Sequence, residues 1–166
     1  MMHPIEELLG KTTPFLKKVF AYLKKDKINV SSYELDHICY RVETLKKYEE
    51  LKQKFLNHGS LLSETQIGGR FISSFKLHVP ITFDNRKIYC IELPAPKKGR
   101  FYPEGYEHVE FVVDKEFNKF MELYPKVNFD TRAMSKEINP DISINYDGCS
   151  VKFHHNTLEY VITYLE

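Results

Sequence analysis

The absences in this chain narrow its reading first. Its three cysteines, Cys39, Cys90 and Cys149, are odd in number and never spaced Cys-x-x-Cys. That argues against a disulfide framework or a cysteine-based zinc knuckle and points to a reducing compartment. No charge of one sign dominates: the formal net charge is +1, and the charged residues, 28% of the total, are spread along the chain. Nucleic acid and anionic membranes are therefore not expected as partners. No apolar run approaches the length of a membrane helix. The start, Met1-Met2-His3-Pro4-Ile5-Glu6-Glu7, has acids where a signal peptide carries basic and then apolar residues. There is no Ser/His/Asp order, no phosphate-loop glycine pattern and no nucleotide fingerprint; Gly68-Gly69 reads as a tight turn. A cytoplasmic domain with a single core fits the 166 residues.

What the chain does contain is a repeat. Glu107-His108-Val109-Glu110-Phe111-Val112-Val113 has the pattern of Asp36-His37-Ile38-Cys39-Tyr40-Arg41-Val42: acid, His, aliphatic, any, aromatic, any, Val. Alternation at period two predicts two strands, each with one buried face. Ile38, Tyr40 and Val42 share one face, and His37, Cys39 and Arg41 the other. Val109, Phe111 and Val113 likewise oppose His108, Glu110 and Val112. Each strand runs into a helical pattern, Leu45 to Asn57 behind the cap Thr44, and Lys115 to Tyr124 behind Asp114. Extended runs 61–67, 71–79 and 87–93 follow the first helix. After the second come a run near Val127–Ala133 and strands at 142–146, 149–154 and 158–165, with Asp147-Gly148 as a hairpin turn. Proline and glycine crowd residues 94–105, too densely for a regular element.

The expected fold is therefore α+β: two paired βαβββ modules, 31–93 and 106–166, joined by the 94–105 linker and forming a curled mixed-sheet cleft in one compact domain. Residues 1–30 form an N-terminal helical extension, whose Phe15, Leu16, Val19, Phe20 and Leu23 make one apolar stripe.

In such a pair the faces free of helix turn toward a common cleft, so His37 and His108 are expected in it. The last strand of each module carries an acid between apolar neighbours, Glu92 and Glu159. Two neutral imidazoles and two carboxylates make a charge-neutral nest for a divalent ion, and this set suits Zn, Ni, Mn or Fe without choosing among them. With all four bound, Lewis-acid chemistry follows, and Glu92 or Glu159 is available as a catalytic base. With Glu92 displaced, the two-His-one-carboxylate arrangement of oxygen-activating iron remains. Arg41, on the face of His37, and Arg70, after the glycine pair, are candidates to hold an anionic substrate group, or else to pair with Glu110 or another cleft acid. Lys97 and Tyr102, in the linker, are further substrate-binding candidates. His154-His155 is expected to face solvent in a turn.

The runs Asp36–Val42, Gly69-Arg70-Phe71-Ile72, Ile91-Glu92-Leu93-Pro94-Ala95-Pro96-Lys97 and Gly105-Tyr106-Glu107-His108 resemble the YecM-like bacterial proteins. The order His37, Glu92, His108, Glu159 resembles the wider vicinal oxygen chelate superfamily of glyoxalases, extradiol dioxygenases and bleomycin-resistance proteins. The resemblance covers roughly residues 30–166 and implies a metal cleft between the modules. The expected function is that of a metal-dependent isomerase, lyase or dioxygenase acting on a small oxygen-rich substrate; the alternative is a non-catalytic protein that binds a small molecule in the same cleft. The sequence leaves the oligomeric state open.

Overall fold

The computed structural model describes residues 1–166. In chain order its elements are α1 (Pro4–Leu9), α2 (Thr13–Lys25), β1 (Glu34–Arg41), α3 (Leu45–Phe55), β2 (Gly59–Ile67), β3 (Arg70–Phe83), β4 (Arg86–Pro94), β5 (Gly105–Val112), α4 (Phe117–Glu122), β6 (Asp141–Tyr146), β7 (Cys149–His154) and α5 (Leu158–Tyr164). The strands form one seven-stranded sheet in the order β2-β3-β4-β1-β5-β7-β6. The repeated strands β1 and β5 lie side by side at its centre, antiparallel. Each is flanked on its outer side by a parallel partner, β4 beside β1 and β7 beside β5. The two halves thus meet where their sequences are most alike.

Alternation along the strands sorts the two faces. Ile38, Tyr40, Ile91, Val109, Phe111, Val151 and Phe153 point into the core. There they meet Leu16, Val19 and Leu23 of α2, Tyr48, Leu51 and Phe55 of α3, and Phe117 and Phe120 of α4. The rings of Phe120 and Phe153 lie 4.8 Å apart and those of Phe111 and Phe153 6.0 Å apart. Burial of each such side chain stabilises the fold by about 1.5–3 kcal/mol. Thr44 caps α3 as expected, its hydroxyl accepting from the Lys47 amide at 3.1 Å. Asp147-Gly148 makes the β6–β7 turn, with Gly148 at φ +75°, a conformation that favours glycine.

The second half departs from the expected βαβββ order. The run 158–165 is the helix α5, not a strand. Tyr160, Val161, Ile162, Thr163 and Tyr164 favour a strand by local preference, but the Thr157 hydroxyl accepts from the Tyr160 amide at 3.1 Å and starts a helix. Leu158 and Val161, one helical turn apart, are its buried residues. The Val127–Ala133 run gives a single bridge, Asp130 to Ser143, before a 3₁₀ turn at Arg132–Ser135. No helix is long and apolar enough to cross a membrane.

Candidate metal centre

Across the β1–β5 ladder His37 faces Glu110 and Cys39 faces His108. The ladder slips twice. Asp36 is an extra residue between Leu35 and His37, and Glu107 is an extra residue between the pairs made by His108 and Tyr106. In a regular strand the acid before each histidine would point to the opposite face; a bulge re-aims it. Asp36 Oδ2 lies 2.7 Å from His37 Nδ1, and Glu107 Oε2 lies against His108 Nδ1. An ionised carboxylate only accepts, so Nδ1 donates in both rings, and in the neutral imidazole Nε2 is the free lone pair.

Both Nε2 atoms are buried without a hydrogen-bond partner. Both face Glu92 of β4: His37 Nε2 is 3.9 Å from Oε2, and His108 Nε2 is 3.8 Å from Oε1. Glu110 Oε2 also lies against His37 Nε2, without hydrogen-bond alignment. The donor atoms of His37, Glu92 and His108 all lie within 4.8 Å of one another. Donors that each sit about 2.0–2.2 Å from a zinc-like ion stand about 3–4 Å from their neighbours. A buried, unpartnered polar atom costs about 1–3 kcal/mol, and an ion among these groups would relieve that of His108 Nε2. The residues present fit a divalent metal.

Charge binds the cluster together. Burial works against a charged His37, but Glu110 and Asp36 carry its pKa well above the usual 6.5. Burial likewise opposes ionisation of Glu110, but His37 and Lys152 hold its carboxyl well below the ordinary range. Glu107 is also desolvated, yet its hydrogen bond to His108, the charge of that ring and Arg41 bring it down to about 2.

The structure brings His37, Glu92 and His108 together but leaves Glu159 apart. Glu159 sits on α5, and its carboxylate pairs with Lys76 Nζ at 2.9 Å, both side chains 44% exposed. The acid that stands at the cluster in its place is Glu110, against His37 Nε2. Its signal lay in the alternation that sets it on the face of His108. Register explains the substitution: Glu92 pairs with Cys39 in the first half, and the equivalent pair in the second half is Lys152 with Glu110.

A cavity of about 570 Å³ opens beside the cluster, lined among others by Arg41, Arg70, Glu92, His108, Glu110 and Lys152. Tyr102 stacks under both arginines, 4.7 Å from Arg41 Cζ and 5.7 Å from Arg70 Cζ. Lys97 does not line this cavity; its side chain lies by Gly68 at the β2–β3 turn. His155 is exposed, stacked on Phe117, whereas His154 is fully buried, contrary to the expected solvent-facing turn. His154 continues the polar face of Ser150 and Lys152, opposite Val151 and Phe153. It lies 3.2 Å from Asn139 Oδ1 and 3.5 Å from Asp36 Oδ2, and burial lowers its pKa.

Fold and cluster together define an α+β protein with a histidine–carboxylate centre where two related half-sheets join. A family model described as YecM protein matches residues 4–165, and the chain belongs to that family. It is 29% identical to protein YecM of Escherichia coli over 150 residues, covering 81% of this chain and 80% of that one. It is 34% identical to an uncharacterised protein of Haemophilus influenzae over 99 residues, 60% of this chain. The chain spans about half the length of that relative, 52%. The solved structure of the structural-genomics protein EC4020 is similar over 92% of this chain and 88% of that one, with a TM-score of 0.80 and 26% identity.

Proposed function

We propose that the cleft holds a divalent metal on His37, Glu92, His108 and Glu110, and that the protein converts a small oxygen-rich substrate there by isomerase, lyase or dioxygenase chemistry. Paired half-sheets around a His/Glu cluster are in keeping with a glyoxalase-like member of the vicinal oxygen chelate superfamily. The observation that carries this reading is the pair of buried Nε2 atoms facing the two oxygens of Glu92, with Glu110 also against that of His37. Asp36 and Glu107 hold the rings in that orientation by a carboxylate–histidine relay, the arrangement that makes imidazole a better ligand. When bound, the ion supplies Lewis-acid polarisation of a substrate oxygen.

The chain's own groups divide the remaining work. Glu110 is 9% exposed and wedged between His37 and Lys152, so it serves as a fixed donor. Glu110 and Glu92 both line the cavity, but Glu92 is twice as open, 18%, so it is the carboxylate placed to leave the ion and take a substrate proton. Leu158 and Val161 of α5 shield that wall from water. The test is incubation of metal-loaded wild-type and Glu92→Gln protein with small-molecule extracts, read by mass spectrometry. The wild type is expected to transform a compound that the variant leaves unchanged. Identical extracts after both incubations would contradict turnover in this cleft.

A further inference from the structure

Four cations line the cavity, and they are not equally engaged. Lys136 is paired with Asp141 at 2.6 Å, and Lys152 faces Glu110 at 3.9 Å. Arg41 and Arg70 are different. Arg41 Nε and Nη1 and Arg70 Nε are buried with no hydrogen-bond partner. The acid nearest Arg41 is Glu107, 3.5 Å from Nε, but the same carboxylate oxygen is committed to His108. Arg70 spends Nη1 on the Ala95 carbonyl at 3.4 Å. Both guanidinium groups sit over the ring of Tyr102.

A structural arginine is normally repaid by a carboxylate or a fan of carbonyls, because burying an unpaired charge is expensive. Here two like charges share one ring, and burial together with the charge of Arg41 pulls the Arg70 pKa down. Cation–π contact offsets part of that cost but satisfies none of the orphan N–H groups. An oxyanion supplies both the charge and the acceptors that are missing. The pair also shares the cavity with Glu92 and His108, so a ligand small enough for this cavity reaches both the anion seat and the cluster.

We propose that Arg41 and Arg70, braced on Tyr102, form the seat for an anionic head, carboxylate or phosphate, and that the ligand of this cleft is therefore a small organic acid or phosphate ester. This assignment rests on the cleft being the ligand site. It restricts the oxygen-rich substrate to one that carries a charge remote from the reacting oxygens.

The test uses the full-length, metal-free protein and the arginine Nε–H resonances in proton–nitrogen NMR. Inorganic phosphate, acetate and neutral acetamide are titrated separately. Phosphate or acetate is expected to shift the Arg41 and Arg70 resonances together and saturably, while acetamide leaves them in place. Saturation by phosphate alone assigns a phosphate head; saturation by acetate assigns a carboxylate. Arg70→Gln is expected to weaken binding at least tenfold, and Arg70→Lys, which keeps the charge and loses the planar fork, at least fivefold. With no metal present, these titrations read the anion seat apart from the metal reading. No saturable shift with either anion, or undiminished binding in Arg70→Lys, overturns it.

Discussion

Lys152 stands beside Glu110 in β7 at the register where Glu92 stands beside Cys39 in β4. The two halves therefore differ in a complementary way. The first half keeps its carboxylate on the flanking strand and a thiol on the central one. The second has a lysine on the flanking strand and its carboxylate on the central one, so each half still gives the cluster one histidine and one acid. This arrangement predicts that Glu110→Gln lowers divalent-metal affinity at least tenfold, as Glu92→Gln does. Glu159→Gln, which breaks the surface pair with Lys76, should leave it within twofold. Calorimetric titration of the three variants decides, and equal losses for Glu110 and Glu159 would put the fourth donor back on α5.

The raised pKa of His37 makes metal binding a proton exchange. In the metal-free protein His37 is held protonated by Glu110 and Asp36 above its ordinary 6.5. The stability this contributes is fully present below pH 6.5 and is lost as pH rises through the folded value. A metal must displace that proton, so affinity climbs with pH across the same window. Titration at pH 7 in buffers of differing ionisation enthalpy should report about one proton released per ion. A release that does not depend on buffer, with flat affinity from pH 6.5 upward, would show that His37 enters already neutral.

Asp36 ties the cluster to the helix that walls the cleft. Its Oδ2 accepts from the Leu158 amide at 2.9 Å, the first residue of α5, as well as from His37. Asp36→Asn should reduce metal affinity about 10–100-fold through the weakened hold on the imidazole. It should also flatten the pH dependence of binding, which a purely structural role would leave unchanged. Both are read in the same calorimetric series.

Thr157→Ala removes the cap that makes 158–164 a helix. The loss expected in urea unfolding is about 0.5–2 kcal/mol, with metal affinity intact because no donor sits on α5. A variant with unchanged stability would mean that packing of Leu158 and Val161 alone sets the helix.

Much of this was legible from residue pattern. The repeated His strand and the strand–helix–three-strand order of the first half follow from periodicities of two and 3.6, the turn at Asp147-Gly148 from its dipeptide, and the convergence of His37, Glu92 and His108 from pairing the halves. Three features were not. A one-residue bulge leaves no trace in local composition, so the turning of Asp36 and Glu107 toward their histidines was invisible. The β-branched and aromatic run after Thr157 prefers a strand on its own and is overruled by a cap and a buried face that only the assembled sheet supplies. A strand at 158–165 would make Glu159 the counterpart of Glu92; because that run is a helix, the acid on the cluster's face is Glu110.

The central claim is that the two buried Nε2 atoms are ligands, and metal affinity of the wild type against His37→Ala and His108→Ala tests it most directly. The account predicts one divalent ion per chain in protein purified without chelator, lost or weakened at least tenfold in either variant. A wild-type protein that binds none of Zn, Ni, Mn or Fe, or variants that bind as tightly as the wild type, would contradict it.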